Sequence, residues 1–109
     1  MKKYCLTLDL KNDPQLIEEY KIHHQKVWPE IIESIRVSGI LKMEIYLLAN
    51  RLCMIMETED HFSFDEKGRM DQANPKVQAW EALMWQYQQA LPFAKPGEKW
   101  MLMERVFEL

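Results

Sequence analysis

Within "EEYKIHHQKVWPEI", residues 18–31, a phenol and an imidazole stand four residues apart, Tyr20 and His24. At about 100° per residue, Ile17, Tyr20, His24, Trp28, Ile31 and Ile35 fall within an arc of roughly 80°, the stripe that an amphipathic helix buries. Glu18, Glu19, Lys26, Glu30 and Glu33 lie away from that arc. Tyr20 and His24 therefore approach whatever the helix covers from the same side. Two readings fit the pair. One is a hydrogen-bonded core couple, because buried polar groups find partners. The other is acid–base chemistry at a small cavity, histidine being the side chain best able to accept and return a proton near neutral pH. His23 lies about 100° further round and is the weaker candidate.

A second stripe comprises Val77, Trp80, Met84, Tyr87 and Leu91. It reads either as aromatic core filling or as a platform on which the C–H face of a sugar ring packs. Tyr46 alternates with Ile45 and Leu47 in a strand-like run, so it enters the same space only if its face of the strand looks toward the helices. Glu57, Glu59 and Asp60 read as solvated strand-end charges. The eight methionines read as fillers of an irregular core. The three histidines, His23, His24 and His61, have no metal-ligand spacing.

These side chains need a scaffold. "KYCLTLDL" predicts a strand ending at "KNDP", with Asp13 as N-cap and Pro14 opening a helix. That helix is predicted to run toward Ser38, kinked or restarted near Trp28 by Pro29 and stopped at Gly39. "ILKMEIYLLA" and "RLCMIMETE" predict a hairpin about the turn "ANR". A short helix is predicted over 63–68, a second long one from Pro75 to Pro92, a loop at "FAKPGEK", and a last strand at "WMLMERVFEL". The order β-α-β-β-α-β is the ferredoxin-like split unit, an α+β fold with a four-stranded antiparallel sheet and helices on one face. The strands are apolar on nearly every residue, which predicts that a second copy covers the other face as a two-fold dimer.

The 109 residues suffice for one domain, 1–109, with 48% apolar and 28% charged residues, the balance of a soluble globular protein. A net charge of −3 and scattered Lys and Arg residues argue against nucleic acid as a partner. No apolar run is long enough to span a bilayer and no leader is evident, so a cytoplasmic protein is expected. Cys5 and Cys53 lie in apolar strand-like runs and read as free thiols.

Taken together, "EEYKIHHQKVWPEI", the hairpin element "IYL" and the C-terminal run "EKWMLMERVFEL" resemble the L-rhamnose mutarotases, small proteins with a dimeric α+β-barrel fold. The resemblance implies a cofactor-free isomerase that opens and recloses a sugar ring, with a monosaccharide as its partner molecule. It places the catalytic histidine on His24 and the ring-contacting tyrosine on Tyr20. Of the two adjacent tryptophans common in that family, the first matches Trp80 and the second position is Glu81, followed by a few extra residues before Pro92. Trp80, Tyr46 and Glu81 join Tyr20 as substrate-binding candidates, and L-fucose stands beside L-rhamnose as a substrate. The same architecture also carries cofactor-free and haem-degrading monooxygenases and non-catalytic ligand-binding modules.

Overall fold

The computed structural model describes residues 1–109. β1 (Lys2–Leu10) leads to α1 (Pro14–His23), whose first turn is closed by Asp13, the carboxylate accepting from the Gln15 and Leu16 amides at 2.9 and 3.2 Å. A cap of this kind contributes about 1 kcal/mol. α2 (Pro29–Val37) follows as a separate helix. Of the kink or restart expected near Trp28, the restart is what occurs. Pro29 cannot donate to the preceding turn and disfavours helical backbone at Trp28, which adopts φ −56° and ψ 136°. Residues 24–28 bridge the break. Gly39, at φ 101°, ends α2 where an L side chain would be strained.

β2 (Ile40–Leu48) and β3 (Arg51–Thr58) form the predicted hairpin, with Leu48 opposite Arg51 and Ala49 in the left-handed region at φ 54°. α3 (Phe64–Gln72), capped by Ser63, is longer than predicted. α4 (Pro75–Trp85) is capped by Asn74 and is shorter: it stops at Trp85 rather than Pro92. β4 (Gln88–Gln89) and β5 (Met101–Leu102) replace the predicted final strand over 100–109.

The sheet order is β2-β3-β1-β4, with β5 also on β1, every pair antiparallel. The fourth strand position of the ferredoxin-like sheet is therefore shared by two short pieces. β4 lies against Asp9 and Leu10, and β5 against Leu6 and Thr7. Pairing along β1 pulls residues 88–89 out of helix, and the Tyr87 carbonyl accepts from the Lys11 amide at 2.8 Å just before β4.

All helices cover one face. Leu6, Leu8 and Leu10 of β1 and Leu52, Met54 and Met56 of β3 point into it, each at most 8% exposed. Two core clusters result, one centred on Met54, Met56 and Phe62, the other on Leu10, Tyr20, Leu52, Met84 and Tyr87. The opposite face carries Cys5, Thr7 and Cys53 with the Asp9–Arg51 ion pair at 2.7 Å, so it is more polar than two-sided burial required. The two thiols lie 3.3 Å apart there. Beyond β5, Val106, Phe107 and Leu109 are exposed. No helix is long and apolar enough to cross a membrane.

Candidate active site

The break between α1 and α2 sets the position of the imidazole. His24 is the C-cap residue of α1, and its Nδ1 donates to the Tyr20 carbonyl oxygen at 2.8 Å. That bond occupies the N–H of the neutral ring, leaving Nε2 as the acceptor, and Nε2 has no protein partner. Burial holds the His24 pKa below its ordinary value, with the neighbouring His23 adding to the depression and the Tyr20 carbonyl opposing it. The ring is therefore a neutral base at neutral pH. It lies 4.2 Å from the Tyr20 ring and 5.6 Å edge-on from Trp80, which in turn meets Trp28 at 5.1 Å.

Tyr20 is 4% exposed. Burial pushes its phenol up to about 12, partly offset by the polar Gln88 side chain nearby. At neutral pH it remains an O–H donor. An imidazole with a free acceptor and a phenol with a retained proton thus stand side by side, the pairing that general acid–base catalysis needs.

Both face a cavity of about 820 Å³ between helices and sheet. This lies in the usual range for small-molecule sites, and its lining is mostly apolar with few polar groups. Trp80 and Trp100 supply flat apolar surface, and Glu81, Gln88 and Lys99 supply polarity. A second cavity of about 190 Å³ also touches Tyr20 and His24, beside Ile45, Tyr46 and Leu47.

The sequence-derived candidates separate here. Tyr20, His24, Trp80 and Glu81 come together around the larger cavity. Tyr46 does not join them: it pairs with Cys53 on the helix-free side, is 54% exposed, and donates to Glu44 Oε2 at 2.8 Å. Strand alternation sends Ile45 and Leu47 inward and Tyr46 outward, so it only flanks the smaller cavity. Tyr87 stays in the core cluster with Met84, against which Trp80 packs, and does not line the larger cavity. Because α4 ends at Trp85, its hydroxyl reaches α1, donating to Glu19 Oε1 at 3.3 Å and accepting from His23 Nε2 at 3.2 Å.

Two polar residues were missed. Lys99 donates to the Glu81 carbonyl at 3.3 Å and lies 4.7 Å above the Trp85 ring; burial lowers its pKa, opposed by the Glu81 charge. Gln88 is 4% exposed, and its Oε1 is buried without a partner. A helix drawn to Pro92 hid Gln88, and no periodicity marks a lysine in a loop.

Residues 3–109 match the family model described as L-rhamnose mutarotase. The chain is 41% identical over 111 residues to an L-fucose mutarotase of Xanthomonas campestris, with 100% of this chain and 89% of that protein covered. It is 29% identical over 87 residues to an L-rhamnose mutarotase of Sinorhizobium fredii, 77% of each being covered. The fold superimposes on the crystal structure of an L-rhamnose mutarotase from Formosa agariphila with a TM-score of 0.73 at 19% identity, over 100% of this chain and 99% of the other.

Proposed function

This chain belongs to the L-rhamnose mutarotase family, and on that premise we propose that it interconverts the α and β anomers of a 6-deoxy-L-hexose beside His24 and Tyr20. The observation that carries this reading is the His24 Nδ1–Tyr20 carbonyl bond, which leaves Nε2 free as a base next to a protonated phenol.

His24 Nε2 takes the anomeric hydroxyl proton as the bond between C1 and the ring oxygen breaks. The Tyr20 hydroxyl donates to that oxygen, yielding the open aldehyde and a chain hydroxyl. Rotation about C1–C2 presents the other carbonyl face, and the chain hydroxyl adds to it. Tyr20 recovers its proton and His24 returns its own to the carbonyl oxygen, so both residues end as they began. Trp80 packs on the apolar side of the ring, and Glu81 accepts from a hydroxyl at the rim.

The 41% identity to the Xanthomonas L-fucose mutarotase, against 29% to the Sinorhizobium L-rhamnose mutarotase, supports L-fucose as the better substrate. Saturation transfer between anomeric protons, measured with L-fucose, L-rhamnose, L-galactose and L-mannose, tests the reading. The 6-deoxy sugars exchange faster with protein than without, L-fucose most of all; exchange at the spontaneous rate for all four refutes it. Because the base acts when neutral, the rate holds level from neutral pH down past 6.5 and falls only below the depressed His24 pKa. A rate that drops already above pH 6.5 assigns the base elsewhere.

In the same reading the protein is a cytoplasmic homodimer. Two free thiols suit a reducing compartment, and exposed Leu48, Phe107 and Tyr46 offer apolar surface to a second copy. Light scattering on the purified protein gives twice the 13.1 kDa chain mass if so, and the single-chain mass if not.

A further inference from the structure

We propose that Gln88 is a specificity-determining residue of this site, its carboxamide oxygen accepting a hydrogen bond from one ring hydroxyl of the bound sugar. The proposal rests on the mutarotase reading above and assigns the site a recognition element outside the motif that carries the family resemblance.

Three observations support it. First, Gln88 Oε1 is the buried side-chain oxygen or nitrogen left without a partner in this protein. Native structures rarely leave such an atom orphaned, and the usual resolution is a ligand or solvent partner. Second, Gln88 lines the same cavity as His24, Tyr20 and Trp80. Third, the register fixes its direction: Gln88 pairs with Leu10, which faces the helices, whereas Gln89 pairs with Asp9 and is exposed. The carboxamide is therefore held by a sheet ladder and not by a mobile loop.

The chemistry selects the ligand group. An amide oxygen accepts and cannot donate, so it reads a hydroxyl and rejects a position where the hydroxyl is absent or turned to the other ring face. L-Fucose and L-rhamnose differ in configuration at C2 and C4, so one acceptor fixed beside the general acid ranks them when the hydroxyl it reads is at either of those carbons. Sites built to bond a hydroxyl discriminate strongly against analogues lacking it, because the protein's own group is then left unpaired.

The test uses the 2-, 3- and 4-deoxy analogues of whichever of L-fucose and L-rhamnose is turned over faster. Anomer exchange is measured with the wild type, Gln88→Met and Gln88→Glu. With the wild type, removing one of the three hydroxyls lowers kcat/KM at least about tenfold more than removing either other. In Gln88→Met that excess penalty collapses to about threefold or less, and the parent sugar loses more in KM than in kcat. Gln88→Glu keeps an acceptor and keeps the penalty. Equal penalties for all three analogues in the wild type overturn the proposal without any variant, and so does an undiminished penalty in Gln88→Met. Either result leaves the mutarotase reading standing, whereas a wild type that exchanges no sugar removes both.

Discussion

The two walls of the cavity are built differently. One is the junction of α1 and α2, where Tyr20 and His24 sit in consecutive turns and their geometry is set by local backbone: a cap, a proline and an i to i−4 side-chain bond. The other is assembled from the end of α4, the two-residue β4 and the approach to β5, and it gathers Trp80, Glu81, Gln88, Lys99 and Trp100 from positions 20 residues apart in the chain. In the function proposed above, the first wall holds the proton chemistry and the second holds the groups that meet the rest of the sugar. On that proposal reaction and recognition are separable, and substitutions on the two walls should fail in different ways.

The largest effect is expected at the first wall. His24→Ala removes the base and lowers catalysed exchange by about 10² to 10⁴ while far-UV circular dichroism is unchanged; retention of the wild-type rate eliminates His24 from the reaction. Tyr20→Phe removes one placed donor and costs about 10² in kcat with KM little altered. An effect confined to KM would move Tyr20 to the recognition side and blur the contrast. On the second wall, Trp80→Ala raises KM about tenfold, or about 1.4 kcal/mol of binding, with a smaller change in kcat. It also loosens the contacts with Trp28 and His24, so thermal melting is followed in parallel. The smallest effect is expected where the walls are merely tied together. Tyr87→Phe deletes the hydroxyl bonded to Glu19 and His23 and lowers unfolding stability by about 1 kcal/mol, with exchange rates within about twofold of wild type.

The same division governs what could be read from the chain before folding. Tyr20, His24 and Trp28 share a short segment whose helical period and proline are local signals, so their convergence was visible, and the restart at Pro29 was among the outcomes expected there. The hairpin followed from alternation and turn chemistry in the same way, and the α+β sheet from the order of the elements. Residues 86–102 had no such signal. "WQYQQALP" has helix-compatible residues, and what ends the helix at Trp85 is pairing with β1, a partner some 80 positions away. Gln88 was lost with that boundary. Tyr46 depended on which strand face the helices chose, a tertiary fact that alternation leaves open.

The gap between β4 and β5 carries a consequence for how such a protein changes over generations. Both flanking pairs are anchored on β1 independently, so residues 90–100 are under no ladder constraint, and their length can vary without altering strand register. Yet this segment ends at Lys99 and Trp100, which border the cavity that Tyr20 and His24 line. On the proposed function, insertion or deletion in that stretch retunes which monosaccharide is accepted while leaving Tyr20 and His24 of the opposite wall untouched.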